Sequence, residues 1–113
     1  MFAAISADRK CLYCEAAHLA CCRMLGVDDG HSAKLSANIE DIDPAKARDI
    51  LKFGIKCARD PQSLAKADFD GLRAHGLRES DIVELISMSA LAVYANIVAD
   101  ATAVPPDEMF NQL

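Results

Sequence analysis

Residues 11–26 read Cys-Leu-Tyr-Cys-Glu-Ala-Ala-His-Leu-Ala-Cys-Cys-Arg-Met-Leu-Gly, a stretch without proline or strand-like alternation. It predicts one helix from about Cys11 to Leu25, with Gly26 as its C-terminal stop. Elsewhere in the chain, sustained alternation and clusters of β-branched residues are nearly absent. Three other helical segments share apolar spacing and nearby stop signals: Met1 to Ala7, about His31 to Ile39, and a short helix around Phe69 and Leu72 that Gly76 closes. The chain is therefore predicted to be all-α.

Two longer helices are also predicted. Asp43 and Pro44 suit a helix start, with Asp43 as the cap and Pro44 in the first helical position, and this helix should end before Pro61. The last helix is predicted from about Glu79 to Val104, followed by two prolines. Apolar residues cover most of its circumference, so we expect it to be the central, buried helix.

Length and composition limit the function classes. The 113 residues correspond to one domain, and 52% of them are hydrophobic, enough for a core. A net charge of −5 and scattered basic residues argue against nucleic acid or an anionic membrane as partner. The start of the chain lacks a basic segment with a cleavage site, and the longest apolar run is too short to span a bilayer. Five cysteines in this spacing do not form a secreted disulfide framework, so we expect a cytoplasmic protein.

The predicted second helix carries a Cys-x-x-Cys motif, Cys11 and Cys14, followed after four residues by His18. Helical residues advance by about 100° each, which places the two thiols, Glu15, His18 and Cys22 in one stripe, with Tyr13 and Ala17 pointing elsewhere. The helix N-terminus favours a thiolate at Cys11, whereas a protonated His18 favours one at Cys14. Both cysteines therefore stay open as the attacking group.

The cysteines also allow two other interpretations, a zinc site and buried apolar side chains. Cys11, Cys14, His18 and either Cys21 or Cys22 could supply four zinc ligands, but one continuous helix cannot wrap them around an ion. The adjacent pair in mid-helix is expected to be buried as small apolar side chains, and the same is expected of Cys57.

Most polar residues outside the motif are expected to be solvated surface groups. His31 and His75 lie near predicted helix ends and are expected to be solvated, as are Asp68 and Asp70. In the last helix Tyr94, Asn96 and Asp100 stay ambiguous. A buried Asn96 would need a hydrogen-bond partner, so it either lines a site or caps a neighbouring helix.

Taken together, these residues resemble the AhpD-like alkylhydroperoxidase and carboxymuconolactone decarboxylase superfamily, on its peroxidase-related branch. The specific part of the match is the Cys-x-x-Cys motif with His18, preceded by Ser6 in Ala-Ile-Ser-Ala. Softer similarity continues through four segments: Ala-Arg-Asp-Pro at 58–61, Phe-Asp-Gly-Leu-Arg-Ala-His-Gly-Leu at 69–77, Ser-Asp-Ile-Val-Glu-Leu at 80–85 and Asn-Ile-Val-Ala-Asp-Ala at 96–101, before Val-Pro-Pro.

The resemblance implies an AhpD-like helical domain that assembles as a homo-oligomer, a trimer or hexamer. It also implies a thiol peroxidase in which Cys14 attacks the peroxide, Cys11 resolves the sulfenic acid to a disulfide, and His18 relays protons. A lipoyl-bearing or thioredoxin-like dithiol protein would then reduce the disulfide. No metal, haem or flavin is implied.

One departure from the family pattern concerns the proton relay. Relatives usually carry a glutamate twelve residues before the first cysteine, a position that falls before Met1 here. The expectation is therefore a single domain over 1–113 that lacks the usual N-terminal extension and completes its core in an oligomer. Glu15 is the candidate substitute for that glutamate.

Three other functions stay open on the same scaffold. They are a general disulfide reductase or redox sensor, a catalytically inert helical oligomer and, less favoured, a lactone decarboxylase, whose chemistry does not use a dithiol.

Overall fold

The computed structural model describes residues 1–113 and contains no β-strand, so the all-α prediction is confirmed. Six helices follow one another along the chain: α1 Phe2–Asp8, α2 Leu12–Met24, α3 Asp29–Ala37, α4 Ala45–Arg59, α5 Lys66–Ala74 and α6 Glu79–Ala101. Short 3₁₀ turns occupy Ile39–Asp41, Pro61–Ser63 and Glu108–Asn111.

Two glycines end helices as their positions predict. Gly26 follows α2 with φ +81°, and Gly76 follows α5 with φ +87°. This left-handed backbone strains residues that carry a Cβ, so glycine suits a chain reversal there. Both predicted stops are confirmed.

The predicted start of α4 is wrong by one residue. Pro44 has an extended backbone, with φ −72° and ψ 169°, and is the N-cap rather than the first helical residue. Its carbonyl oxygen accepts a hydrogen bond from the Arg48 amide at 3.2 Å, as an N-cap carbonyl should. Asp43 is consequently outside the helix, and no side chain caps α4.

The expectation that the last helix is buried around its circumference is also wrong. It ends at Ala101, and its five buried residues lie on one face: Ile82, Ser89, Ala92, Asn96 and Ala99. That face packs on α1, α2 and α4. The opposite face stays apolar and exposed, because α1, α2 and α4 pack on the same side of α6. α6 is the one helix that is long and apolar enough to cross a membrane. Length and composition alone do not separate such a helix from a core helix of a soluble protein.

The core consists of three apolar clusters, of which the third, formed by Cys11, Cys14 and Ala99, lies where α2 meets α6. The first joins α1, α3 and α4 through Ala3, Ala4, Leu35, Ile42 and Leu51. The second joins α4, α5 and α6 through Phe53, Cys57, Leu72, Leu77 and Ile82. Burial of Cys57 is confirmed. Because α1 belongs to the first cluster and also packs on α2 and α6, it holds the start of α2 against the C-terminal half of α6.

Candidate active site

Cys11 lies where three helices meet. It is the N-cap of α2, with φ −84° and ψ 96°, so it precedes the helix in which the sequence placed it. Its amide donates a hydrogen bond to the Ser6 carbonyl of α1 at 2.9 Å, and its Sγ donates to the Asn96 carbonyl of α6 at 3.9 Å. The residue is fully buried, at 0% exposure. Cys11 is therefore fixed from both sides and closed to solvent.

This burial determines the protonation of Cys11. Loss of hydration raises the pKa of its thiol to about 12, because a thiolate is poorly stabilised away from water. The Cys14 amide lowers this pKa, whereas the Cys14 thiol and the Asp100 carboxylate raise it further. Cys11 is consequently a protonated thiol at neutral pH. Burial outweighs the helix N-terminus, which favoured a thiolate at this position.

Cys14 lies one turn further along and is also buried, at 4% exposure, but it reaches the edge of a cleft. It borders an open cleft of about 580 Å³ between α2 and the C-terminal part of α6. Eight of the ten residues that line the cleft are hydrophobic, and all ten are Tyr13, Cys14, Ala17, His18, Tyr94, Ala95, Val98, Ala99, Thr102 and Val104. The prediction that Tyr13 and Ala17 point away from the reactive thiols is wrong, because α6 packs over the side of α2 that carries them.

His18 shares this cleft with Cys14. Its Nδ1 lies 2.7 Å from the Cys14 carbonyl oxygen. A carbonyl oxygen only accepts hydrogen bonds, so Nδ1 carries a proton and the neutral ring keeps Nε2 as its basic atom. The ring also stacks on Phe2 of α1, with centroids 5.1 Å apart and planes inclined by 17°. These two contacts fix the imidazole orientation beside Cys14.

Comparisons with known proteins identify the fold. No protein-family model matches the sequence, and no curated protein matches it. A solved uncharacterized peroxidase-related protein from Silicibacter sp. TM1040 is 32% identical with a TM-score of 0.88, over 96% of this chain and 58% of that one. The resemblance to AhpD-like, peroxidase-related proteins is confirmed. A second structure, described as an alkylhydroperoxidase AhpD core and uncharacterized peroxidase-related protein from Ralstonia eutropha JMP134, has the same TM-score at 28% identity, over 96% of this chain and 57% of that one. The chain thus spans less than two thirds of the length of either relative.

Glu15 does not share the cleft of Cys14 and His18. It lines a separate cleft of about 450 Å³ on the other side of α2, together with Arg23 and residues near the C-terminus. The two sides are separate because the C-terminal turn packs on α2: the Arg23 guanidinium donates to the Phe110 carbonyl at 2.6 Å. A catalytic role for Glu15 stays a prediction, and its carboxylate lies away from the cleft of the AhpD-like fold that holds Cys14.

The expected burial of the adjacent cysteine pair is wrong. Cys21 is exposed, and Cys22 is half-buried against the first core cluster. One face of α2 packs on the core and the opposite face meets solvent, so neighbouring residues have different environments. No three His, Cys, Asp or Glu side chains in the structure converge on a point where they could hold a metal ion, so the four-ligand zinc set is not assembled.

The last helix contributes the polar residues nearest the site. Asn96 is 1% exposed, and its Nδ2 donates to the Ser6 hydroxyl at 3.0 Å, whereas its Oδ1 has no partner. The predicted need of a buried Asn96 for a hydrogen-bond partner is confirmed, and its backbone carbonyl accepts the Cys11 thiol, but its side chain does not line the cleft. Asp100 follows one turn later and is exposed to solvent, and its carboxylate contributes to the raised pKa of Cys11. The sequence feature that points to Asp100 as a residue near the site is its position four residues, about one helical turn, after Asn96.

The other two histidines lie outside the cleft. His31 is half-buried at the start of α3. His75 Nε2 lies 2.6 Å from the Asp49 carboxylate of α4, so the expectation of a purely solvated side chain is wrong for this histidine.

Proposed function

We propose that this AhpD-like chain is a dithiol-dependent peroxidase that reduces small hydroperoxides. One observation carries the proposal: Cys14 lines an open apolar cleft that His18 also lines, whereas its partner Cys11 is fully buried as a protonated thiol. This division supports Cys14 as the residue that meets peroxide and Cys11 as the one that resolves the product. The apolar lining suits the hydrocarbon part of an organic hydroperoxide.

The proposed cycle begins with His18 Nε2 taking the Cys14 proton. The Cys14 sulfur attacks the terminal peroxide oxygen, the O–O bond breaks, and the departing alkoxide takes the proton from His18 and leaves as an alcohol. Cys14 is then a sulfenic acid. The Cys11 sulfur attacks it, the S–S bond forms, the S–O bond breaks, and water leaves. A dithiol protein, lipoyl-bearing or thioredoxin-like, restores both thiols by exchange.

Consumption of cumene hydroperoxide in the presence of a small dithiol tests this proposal. We expect turnover in the native chain and none in Cys14→Ser, because the attacking sulfur is absent. Cys21→Ser is the matched control, since it removes an exposed thiol from the same helix and should keep full turnover.

The same assay separates the alternatives. No turnover, with a disulfide between Cys11 and Cys14 still forming under a mild oxidant, would support a reductase or redox sensor instead. Absence of both would leave the inert oligomer as the explanation.

We further propose that the chain assembles with copies of itself, as its resemblance implies. The support is an exposed apolar face along α6, formed by Val83, Leu91, Tyr94, Ile97 and Val98. A contiguous apolar surface of this kind is typical of a protein interface. Tyr94 and Val98 also line the Cys14 cleft, so a second copy on this face would help to close the site.

Light scattering after size exclusion tests the assembly. Leu91→Glu should shift the mass of a trimer or hexamer toward the monomer, because it places a charge in the proposed interface. Met24→Glu changes an exposed apolar residue outside that face and should leave the mass unchanged.

A further inference from the structure

Tyr13 covers the buried thiol pair. Cys11, Cys14 and Ala99 form the third core cluster, and two partly buried apolar residues, Tyr13 and Ala95, pack against it. Ala95 carries a single methyl group and cannot move aside without its helix, whereas the Tyr13 ring can turn about its side-chain bonds. Tyr13 is therefore the cover that controls how closely the two thiols can be approached.

Tyr13 also separates two clefts. It lines the apolar cleft of about 580 Å³ that Cys14 lines, and it lines a second cleft of about 410 Å³. Ala99 and Val104 are common to both clefts, whereas Cys14 lines the first one only. The two clefts are therefore neighbours, and Tyr13 has the largest side chain of the three residues that they share. Without its ring they would join beside the thiol.

The C-terminal strap, residues 104–111, holds the Tyr13 ring in place. The Phe110 ring meets it edge-on, with centroids 5.6 Å apart and planes inclined by 72°. The Tyr13 hydroxyl donates a long hydrogen bond of 3.4 Å to the Asp107 carboxylate. The strap is in turn fixed to α2, because the Arg23 guanidinium donates to the Phe110 carbonyl at 2.6 Å. The position of the cover thus depends on a segment about ninety residues away in the chain.

We propose that Tyr13, held by the strap, is a specificity-determining residue that limits the size of the molecules reaching Cys14. The inference rests on the proposed function in taking Cys14 as the thiol that meets the substrate. Because Cys14 is only 4% exposed, a reagent has to come close to the wall that Tyr13 forms. A small hydroperoxide needs only the open cleft, whereas a bulky one also needs the space that the ring occupies.

Two maleimides of different size measure this selection without peroxide. N-ethylmaleimide and N-(1-pyrenyl)maleimide add to a thiolate by the same reaction, so the ratio of their rate constants at Cys14 reports size and cancels any change in the thiol pKa. The parent protein is Cys21→Ser/Cys22→Ser, because these two thiols are exposed or half-buried. Mass spectrometry locates the label, a Cys14→Ser version measures any label on Cys11, and buried Cys57 stays unlabelled while the fold is intact.

In Tyr13→Ala we expect the ratio of the pyrenyl to the ethyl rate constant to rise about tenfold, the lower end for steric discrimination in an apolar pocket. Tyr13→Phe keeps the ring and its contact with Phe110, so its ratio should stay within about twofold of the parent. Phe110→Ala removes the edge-on contact and should raise the ratio about threefold. Leu12→Ala is the matched control, since Leu12 lines the second cleft but not that of Cys14, and it should leave the ratio unchanged.

An unchanged ratio in Tyr13→Ala or Phe110→Ala, or an equal rise in Leu12→Ala, would overturn the inference. If Tyr13→Ala opens the fold, Cys57 takes up label, and Phe110→Ala then decides on its own. Because no peroxide is present, the expected ratios in a chain that never consumes cumene hydroperoxide would contradict the peroxidase proposal alone. Turnover together with a ratio that does not depend on Tyr13 would contradict this inference alone.

Discussion

The hydrogen bond from Asn96 to Ser6 predicts that these two residues are strongly coupled in stability. Its length is 3.0 Å, and the two residues are 1% and 0% exposed. Water therefore cannot replace a missing partner at this junction of α1 and α6. Removing either residue alone should cost more than removing both.

The magnitude follows from what each change leaves behind. Ser6→Ala removes the acceptor of Asn96 Nδ2, and since Asn96 Oδ1 has no partner either, the buried side-chain amide is left without a hydrogen bond. One unsatisfied buried group costs about 1–3 kcal/mol. Asn96→Leu leaves the Ser6 hydroxyl unpaired at a similar cost, whereas the double variant replaces both polar groups by apolar ones and is expected to be close to neutral.

Urea unfolding of the native chain, both single variants and the double variant measures this coupling. We expect a coupling free energy of about 2 kcal/mol or more, the sum of the two single-variant costs, with the m-value unchanged. Ser80→Ala, an exposed serine at the start of α6, should stay within about 0.5 kcal/mol of the native chain. Single-variant costs that add to within about 0.5 kcal/mol in the double variant would refute the reasoning, because residues that share no bond behave additively.

Three further predictions concern other parts of the chain. Folding raises the pKa of the Cys11 thiol from 9.0 to about 12. The protonated thiol therefore contributes to the free energy of unfolding below pH 9, and this contribution is lost as pH rises toward 12. Over this range the urea midpoint of the native chain should fall more than that of Cys11→Ala. Leu72→Ala empties a position that is 1% exposed in the second core cluster and should cost about 2–5 kcal/mol in the same unfolding assay, a smaller loss arguing that the cluster collapses around the gap. Arg23→Ala removes the hydrogen bond to the Phe110 carbonyl and should speed limited proteolysis within residues 105–113, with equal cleavage rates contradicting that anchor.

Helix positions were largely readable from local signals. Gly26 and Gly76 end helices through their own backbone conformation, and this preference acts whatever surrounds them. Pro44 misled the prediction because a proline suits both the N-cap and the first helical position, and the choice depends on the path of the preceding chain. Local chemistry therefore specified that a helix begins here but left its first residue open.

The sequence predicted which residues belong to the candidate site but not what surrounds each of them. Cys14 and His18 share a cleft, as their helical spacing indicates, because residues four apart in a helix lie on one face. The spacing also placed Glu15 in the same stripe, yet the packing of α6 on one side of α2 and of the C-terminal turn on the other separates it from them. The side of α2 that becomes a cleft depends on contacts between residues about eighty positions apart.

The sequence by itself determined that the protein is all-α, where most helices lie, and that a Cys-x-x-Cys motif with a histidine begins the second one. These properties come from residues within a few positions of one another, where backbone preference and helical spacing act directly. Only the tertiary structure decided that Cys11 is fully buried and protonated and that Cys14 lines an apolar cleft. Burial depends on which distant helices pack together, and it determines which of two similar thiols lines the cleft.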